Sequence, residues 1–244
     1  DINGSELILD ADGDTSLHAS TDDQIDVKIG GTDVVTLTNS SLVLKGTTPT
    51  LTIGDAGAED TKIVFDGNAQ DFHIGLDDTD DSIKIGLGSA LGTTAHIISD
   101  AAGQVTKPLQ AYFHVVPASE QSNIANGNTV VWGSETVDTG GNFASNAFTA
   151  PVTGVYLLSV SLNVNQFDSS ASYVWVNVVT SNRTHKISIH GEGQDADSYY
   201  NLSGTVIADM DASDTVTITW EQSGGAAQAD VLASNSHFYG YLLG

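Results

Sequence analysis

Between residues 6 and 99 the chain is a series of short segments of alternating apolar and polar residues, each stopped by Gly, Asp, Asn or Thr. The segments are 6–11, 15–20, 24–30, 33–39, 42–46, 50–54, 61–66, 71–77, 82–87 and 95–99. A period of two is the mark of a β-strand and not of an amphipathic helix. It sets Ile25, Val27 and Ile29 on one face, and does the same for Phe72, Ile74 and Leu76 and for Ile83, Ile85 and Leu87. A weak repeat runs through the region: Thr21-Asp22-Asp23-Gln24-Ile25 with Lys28-Ile29-Gly30 returns as Thr79-Asp80-Asp81-Ser82-Ile83-Lys84-Ile85-Gly86. Strands this short, with two or three aliphatic residues each, bury too little surface in one chain to offset the entropy of ordering it. The expectation is a stalk of three copies about a common axis, aliphatic rows inward and Asp and Thr rows outward. A single-chain solenoid is the competing geometry.

The rest of the chain is different. Of the 17 aromatic residues only Phe65 and Phe72 precede Gln110, so the large core lies in the C-terminal part. Gly103 and Pro108 interrupt the pattern and set a boundary, giving a stalk over 1–106 and a head over 107–244. Longer strands are predicted in the head over 111–116, 129–132, 154–165, 172–180, 184–190, 199–210, 215–222 and 236–243. The fold class is all-β, with an antiparallel sandwich following the stalk.

Residues 148–160 carry a pattern with a family likeness. Phe148-Thr149-Ala150-Pro151 is followed by Gly154, Tyr156, Leu158 and Val160, and the chain closes with Phe238-Tyr239-Gly240-Tyr241-Leu242-Leu243. An aromatic, five residues, Gly, one residue and Tyr, then alternating apolar residues, resembles the complement C1q and tumour-necrosis-factor-like trimeric jelly roll. The resemblance implies a jelly-roll head whose last strand lies beside its first. It places Phe148, Gly154, Tyr156, Phe238 and Tyr241 in the core or at trimer contacts. Phe143 stands closer to Phe148 than the family's upstream aromatic does, which puts the loop before Phe148 in question. The stalk segments 7–14, 21–26 and 61–72 resemble repeats of tail-fibre-like proteins of marine bacteriophages. That likeness implies a virion-surface, extracellular fibre.

Charge narrows the partners. The net charge is −24, and 19 of the 31 acidic residues lie in 1–106. Binding to nucleic acid or anionic membrane depends on cationic side chains, so neither is expected as a partner. There is no Cys, hence no disulfide or thiolate chemistry. No apolar run approaches the roughly 18 residues of a spanning helix. The first residues do not read as a basic-then-apolar leader, which leaves open a leader already removed or further residues upstream.

Candidate chemistry is sparse. Asp10, Asp12 and Asp14 match positions one, three and five of a calcium loop, but Thr15 replaces the Gly at six and Thr21 the Glu at twelve. The oxygen-rich turns with Asp77-Asp78 and Asp80-Asp81 are also able to hold calcium between chains, the plainer reading being solvated carboxylates. Calcium is the one cofactor these residues suggest. Gly86, Gly88 and Gly92 miss the nucleotide fingerprint by one place and precede no helix. His185 and His190, five apart on a strand, are expected on opposite faces. His190 with Glu192, Asp195 and Asp197 reads as a polar loop more than as an acid–base site. With neither a nucleophile elbow nor a His-Glu-x-x-His pair, catalysis is not expected. Trp132, Trp175 and Trp220 are able to stack on sugars, but sit among Val and Ile as core residues do.

If strands alternate in direction, loops 118–128, 166–171, 191–198 and 223–235 gather at the end far from the stalk. They are rich in Gln, Asp, Ser, Asn and Gly. Gln166, Asp168, Glu192, Gln194, Asp195, Asp197, Gln228 and Asp230 are the receptor-binding candidates, acting through threefold avidity on a cell-surface glycan or protein. The expected partners are two further copies, a host receptor and other virion proteins. A capsid or filament decoration without receptor binding is the alternative, and a glycan depolymerase is a third class.

Overall fold

The structure, a computed structural model, describes residues 5–92, 94–191 and 198–244. Every regular element among them is a β-strand, and the chain divides into two compact units, Asp1–Thr61 and Lys62–Gly244.

The first unit is a meander of β1 (Leu7–Ile8), β2 (Ser16–His18), β3 (Gln24–Ile29), β4 (Thr32–Thr38) and β5 (Leu42–Leu44). Gly30 and Gly31 join β3 to β4 with φ of 58° and 76°. Both central residues of this two-residue hairpin turn need positive φ, which glycine supplies without strain. Ser16, Asp26 and Thr36 are buried, whereas Ile25, Ile29 and Leu37 are exposed. Hydrogen bonds make the inverted arrangement tenable. Asp26 accepts the Thr36 hydroxyl and the Gln24 amide, the latter at 2.6 Å, and the Lys45 ammonium lies 3.5 Å away.

The second unit contains two parts. The first is a sheet ordered β10 (Val105–Thr106), β9 (Ala95–Ser99), β8 (Ser82–Leu87), β7 (Phe72–Asp77) and β6 (Thr61–Phe65). Its faces are inverted in the same way. His73, Ser82 and Lys84 are buried while Phe72, Ile74, Leu76, Ile83 and Ile85 are exposed. The Lys84 ammonium bonds Asp77 at 2.6 Å and Asp80 at 2.9 Å, and an added Cβ at Gly92 would lie 3.9 Å from it. The segment 50–54, expected as a strand, pairs with nothing and leaves Leu51 and Ile53 exposed. Its alternation is present, but no neighbouring strand is in reach to form a ladder.

The second part is an antiparallel sandwich. Sheet I is ordered β12 (Ser134–Asp138), β11 (Tyr112–Val116), β21 (His237–Leu242), β15 (Gly154–Asn165) and β18 (Tyr200–Met210), with β20 (Asp230–Val231) pairing to β15. Sheet II is ordered β13 (Phe143–Ala144), β14 (Ala147–Thr149), β19 (Thr215–Ser223), β16 (Tyr173–Thr180) and β17 (Thr184–Gly191). The last strand lies beside the first, with Phe113 opposite Gly240. Between the sheets Phe113 stacks on Phe148 at 4.5 Å and meets Phe238 edge-on at 4.9 Å. Tyr156, Leu158, Val160 and Leu162 of β15 point into the same core, facing Val174, Val176 and Val178 of β16.

Two expectations about the head are addressed by the structure, and one strand pair is irregular. Residues 129–132 form an isolated bridge to β19 and not a strand, because Val130 and Trp132 turn into the core. The region around Phe143 is rebuilt as a two-residue hairpin, β13 to β14, with Ser145 at φ 51° and Asn146 at 66°. Asn tolerates that left-handed conformation, and its side chain accepts the Trp132 N–H at 2.8 Å. Finally, the β16–β17 register shifts, so that Val176 pairs with Ser188 and Asn177 with Lys186. The extra residue, Ile187, breaks the alternation, and the side chain of His190, expected on the face opposite His185, lies outside the described residues.

Candidate functional site

The sandwich carries a cluster of loops at one end and an outward face on sheet I.

The loops meet where β15 finishes. The backbone of Gln121 bridges Val231, and the N–H of Ile124 bonds the Ala229 carbonyl at 2.8 Å. Loops 118–128, 166–171 and 223–235 therefore come together, as their place after alternate strands implies. Asp230 is buried, accepting the Asn123 N–H at 2.8 Å and the Gln166 side-chain amide at 2.8 Å. Asp168 accepts backbone N–H groups from Ser170, at 2.8 Å, and from Ala226. The Ala226 bond is the main cause holding its carboxyl below the usual range. Gln228 donates to the Phe167 carbonyl at 3.1 Å. Thus Asp168, Gln228 and Asp230 shape the loops, while Gln166 is exposed at their surface. Glu192, Gln194, Asp195 and Asp197 lie outside the described residues.

The outward face of sheet I follows from strand parity, since the residues between the core-facing ones must point away. Across β11, β21, β15 and β18 one row reads Tyr112, Tyr241, Leu157 and Ile207, and the next reads His114, Tyr239, Ser159 and Thr205. His237 and Ser161 follow, opposite each other. Ile207 is 65% exposed, Tyr112 42% and Tyr241 39%. These rows hold no carboxylate and no ammonium group. Tyr112, His114, His237 and Tyr239 line a shallow concavity of about 360 Å³. His114 and His237 stand with ring centroids 5.9 Å apart, and His237 stacks on Tyr239 at 5.8 Å. Burial, with the neighbouring His114 adding to it, pushes the His237 pKa down.

The other sequence candidates are dispersed. Phe148, Tyr156 and Phe238 are fully buried within one chain, Gly154 packs on Leu242, and Tyr241 belongs to the exposed face. Trp132 and Trp220 are core residues, whereas Trp175 lies half-buried on sheet II with the Lys186 ammonium 5.1 Å from its ring centre. The carboxylates of Asp10, Asp12 and Asp14 lie within 4.8 Å of one another, all exposed. Asp80 is bonded to Lys84, and its neighbour Asp81 sits at φ 50° in the turn after β7. No helix of the described residues is long and apolar enough to cross a membrane.

The histidine pair was not singled out from the sequence, where the two residues stand far apart. The signal existed: once the last strand lies beside the first, parity places both imidazoles on one face.

Comparison with known proteins bears on the head. The C1q domain family model matches residues 112–243, just over half of the chain. Among solved structures, the globular domain of zebrafish complement 1qA protein matches at 14% identity and a TM-score of 0.43, over 55% of this chain and 98% of that one. Murine APRIL, solved at pH 5.0, matches at 16% identity and a TM-score of 0.41, over 55% and 99%. No curated protein matches.

Proposed function

The chain belongs to the C1q domain family through residues 112–243, and from that premise we propose that it is a homotrimeric fibre of a phage virion. In this reading the jelly-roll head attaches to a cell-surface glycan or protein through its gathered loops.

The observation that carries the assembly is the outward face of sheet I. In a chain of net charge −24, contiguous rows without carboxylate that expose Tyr112, Tyr241 and Ile207 around a half-buried Leu157 are a surface that water does not favour. Packing it against a second copy removes apolar area worth about 25 cal/mol per Å². The sheets of the N-terminal half add to this, for both bury polar side chains and expose Ile and Leu rows. A chain that satisfies Asp26 and Lys84 internally and leaves its aliphatic residues outside is built to have those residues covered by other copies.

The loop end suits recognition. Its frame is fixed by Asp168 and Asp230, and its surface presents Gln166, Ser169, Ser170, Ser122 and Asn123. Such groups make many weak hydrogen bonds, which three copies turn into useful avidity. Calcium at Asp10, Asp12 and Asp14 would neutralise charge that three stalks bring together.

Light scattering of the purified chain tests the trimer, and three copies are expected. Saturable attachment to host cells that is lost on replacing Gln166, Ser169 and Ser170 by Ala tests the loop reading. A trimer with no saturable attachment would favour a decoration protein, and release of oligosaccharides from host polysaccharide would favour a depolymerase.

A further inference from the structure

We propose that His114 and His237 form a two-imidazole site for a borderline divalent cation of the Zn²⁺ class on the outward face of sheet I. The site is complete within one chain, so it does not depend on the trimer.

Geometry allows a shared ion. A zinc–nitrogen bond of about 2.0–2.1 Å, with about 1.1 Å from nitrogen to ring centre, puts each centroid about 3.2 Å from the metal. Two rings on one tetrahedral ion have centroids about 5.2 Å apart and at the linear limit about 6.4 Å, and these, at 5.9 Å, need the side chains to close by about 0.7 Å. The strands hold them there. His114 is opposite Tyr239 on β21, and His237 is two residues from Tyr239 on the same face, stacked against it. No hydrogen bond from the described residues claims a nitrogen of either ring. Both rings open into the concavity they share with Tyr112 and Tyr239, which leaves room for water to fill the remaining positions.

Donor chemistry sets the choice of ion. Imidazole nitrogen suits Zn²⁺, Cu²⁺ and Ni²⁺, whereas Mg²⁺ and Ca²⁺ prefer carboxylate and carbonyl oxygen. The neighbouring rows supply Tyr, Ser and Thr and no carboxylate. Calcium and magnesium would collect on the acidic turns instead.

The test is calorimetric titration of ZnCl₂ into the full chain, stripped with EDTA and held in excess MgCl₂ so that carboxylates are occupied. One saturable Zn²⁺ site per chain is expected, absent in His114→Asn and in His237→Asn. Imidazole proton–nitrogen spectra of the unsubstituted chain serve if a variant fails to fold, and two rings should shift together up to one equivalent of Zn²⁺. Binding unchanged in either folded variant, complete displacement by Mg²⁺, or no paired imidazole shift would overturn the site. Light scattering on the same samples separates the two readings, since a monomer that still binds Zn²⁺ refutes the trimer and keeps the site.

Discussion

The carboxylate of Asp230, on the short strand β20, accepts the backbone N–H of Asn123 at 2.8 Å and so ties together two loops far apart in the chain. Its other oxygen accepts the Gln166 amide at 2.8 Å. A buried carboxylate with two donors fixes three loops at once.

Replacing Asp230 by Ala leaves the Asn123 N–H and the Gln166 amide without their partner. The expected cost is about 0.5–1.5 kcal/mol, the usual net worth of a hydrogen bond, because both donors stand at the loop surface where water can replace the carboxylate. Denaturant unfolding followed by tryptophan fluorescence reads it, because Trp132 and Trp220 report on the head core. Amide exchange should accelerate around Asn123 while β15 and β18 stay protected. A stability equal to that of the unsubstituted chain would show that the loops are held by other contacts.

Gly240 stands at a close approach between β21 and its neighbours. A Cβ there would stand 2.8 Å from both Leu158 Cδ2 and Phe113 Cε1 and 2.9 Å from the Leu157 carbonyl oxygen. The strand geometry is ordinary, so the cost of Gly240→Ala is overpacking alone, about 1–3 kcal/mol. Thermal unfolding is expected to show a lower midpoint with an unchanged β-sheet spectrum.

How far the sequence could be read follows from these contacts. Period-two alternation located β3, β4, β7, β8 and β15 because each pairs along its length, and the aromatic distribution located the core. It failed at 50–54, where alternation is present without a partner strand, and at 129–132, where Val130 and Trp132 are buried without forming a ladder. β12, β13, β14 and β20 are too short, or too rich in Gly, Ser and Asn at their ends, to show a period. Ile187 illustrates another limit, since one unpaired residue shifts the register of β17 on β16 and no period in the sequence announces it. Among the candidate residues, loop position was legible but individual role was not. Asp230 and Gln166 look alike in the sequence, yet one is buried as a tie and the other is exposed.

Lys84 supports the sheet of β6 to β10 through Asp77 and Asp80. Its pKa is raised, first by the bond to Asp77. Lys84→Met keeps the length of the side chain but leaves the largely buried Asp77 carboxylate without its cation. The loss is expected near 1.5–3 kcal/mol, the range for a hydrogen bond to a charged group. It should register in the exchange of β7 and β8 amides and not in those of β15 or β18. Equal protection of β7 and β8 in both proteins would refute it.

Ile207 separates folding from assembly. At 65% exposure it contributes little to the fold of one chain, so Ile207→Glu should change monomer stability by no more than about 0.5 kcal/mol. On the proposed subunit face the same charge is desolvated beside Leu157 and Tyr241, and association should fail. Sedimentation is expected to show monomers for the variant and trimers for the unsubstituted chain. A trimeric variant would move the contact to another surface.

Acid should weaken the head in two separate pH windows. His237 has a folded pKa below its ordinary value of about 6.5, because its ring is part-buried and close to His114. Between those two values the unfolded chain takes up a proton that the folded chain does not, so stability falls as the pH drops from about 6.5 through the folded pKa. The groups facing it in the concavity are His114 and the phenols of Tyr112 and Tyr239, with no carboxylate among them. Asp168 and Glu221 have lowered pKa values, Asp168 through the Ala226 N–H and Glu221 through the Lys186 ammonium. Their contribution is full above the ordinary carboxylate range and is lost only as the pH falls below it. Melting temperatures measured from pH 8 to pH 3 should therefore fall in two steps, and His237→Asn should remove the upper step alone. A single step at carboxylate pH in the unsubstituted chain would show that His237 titrates freely.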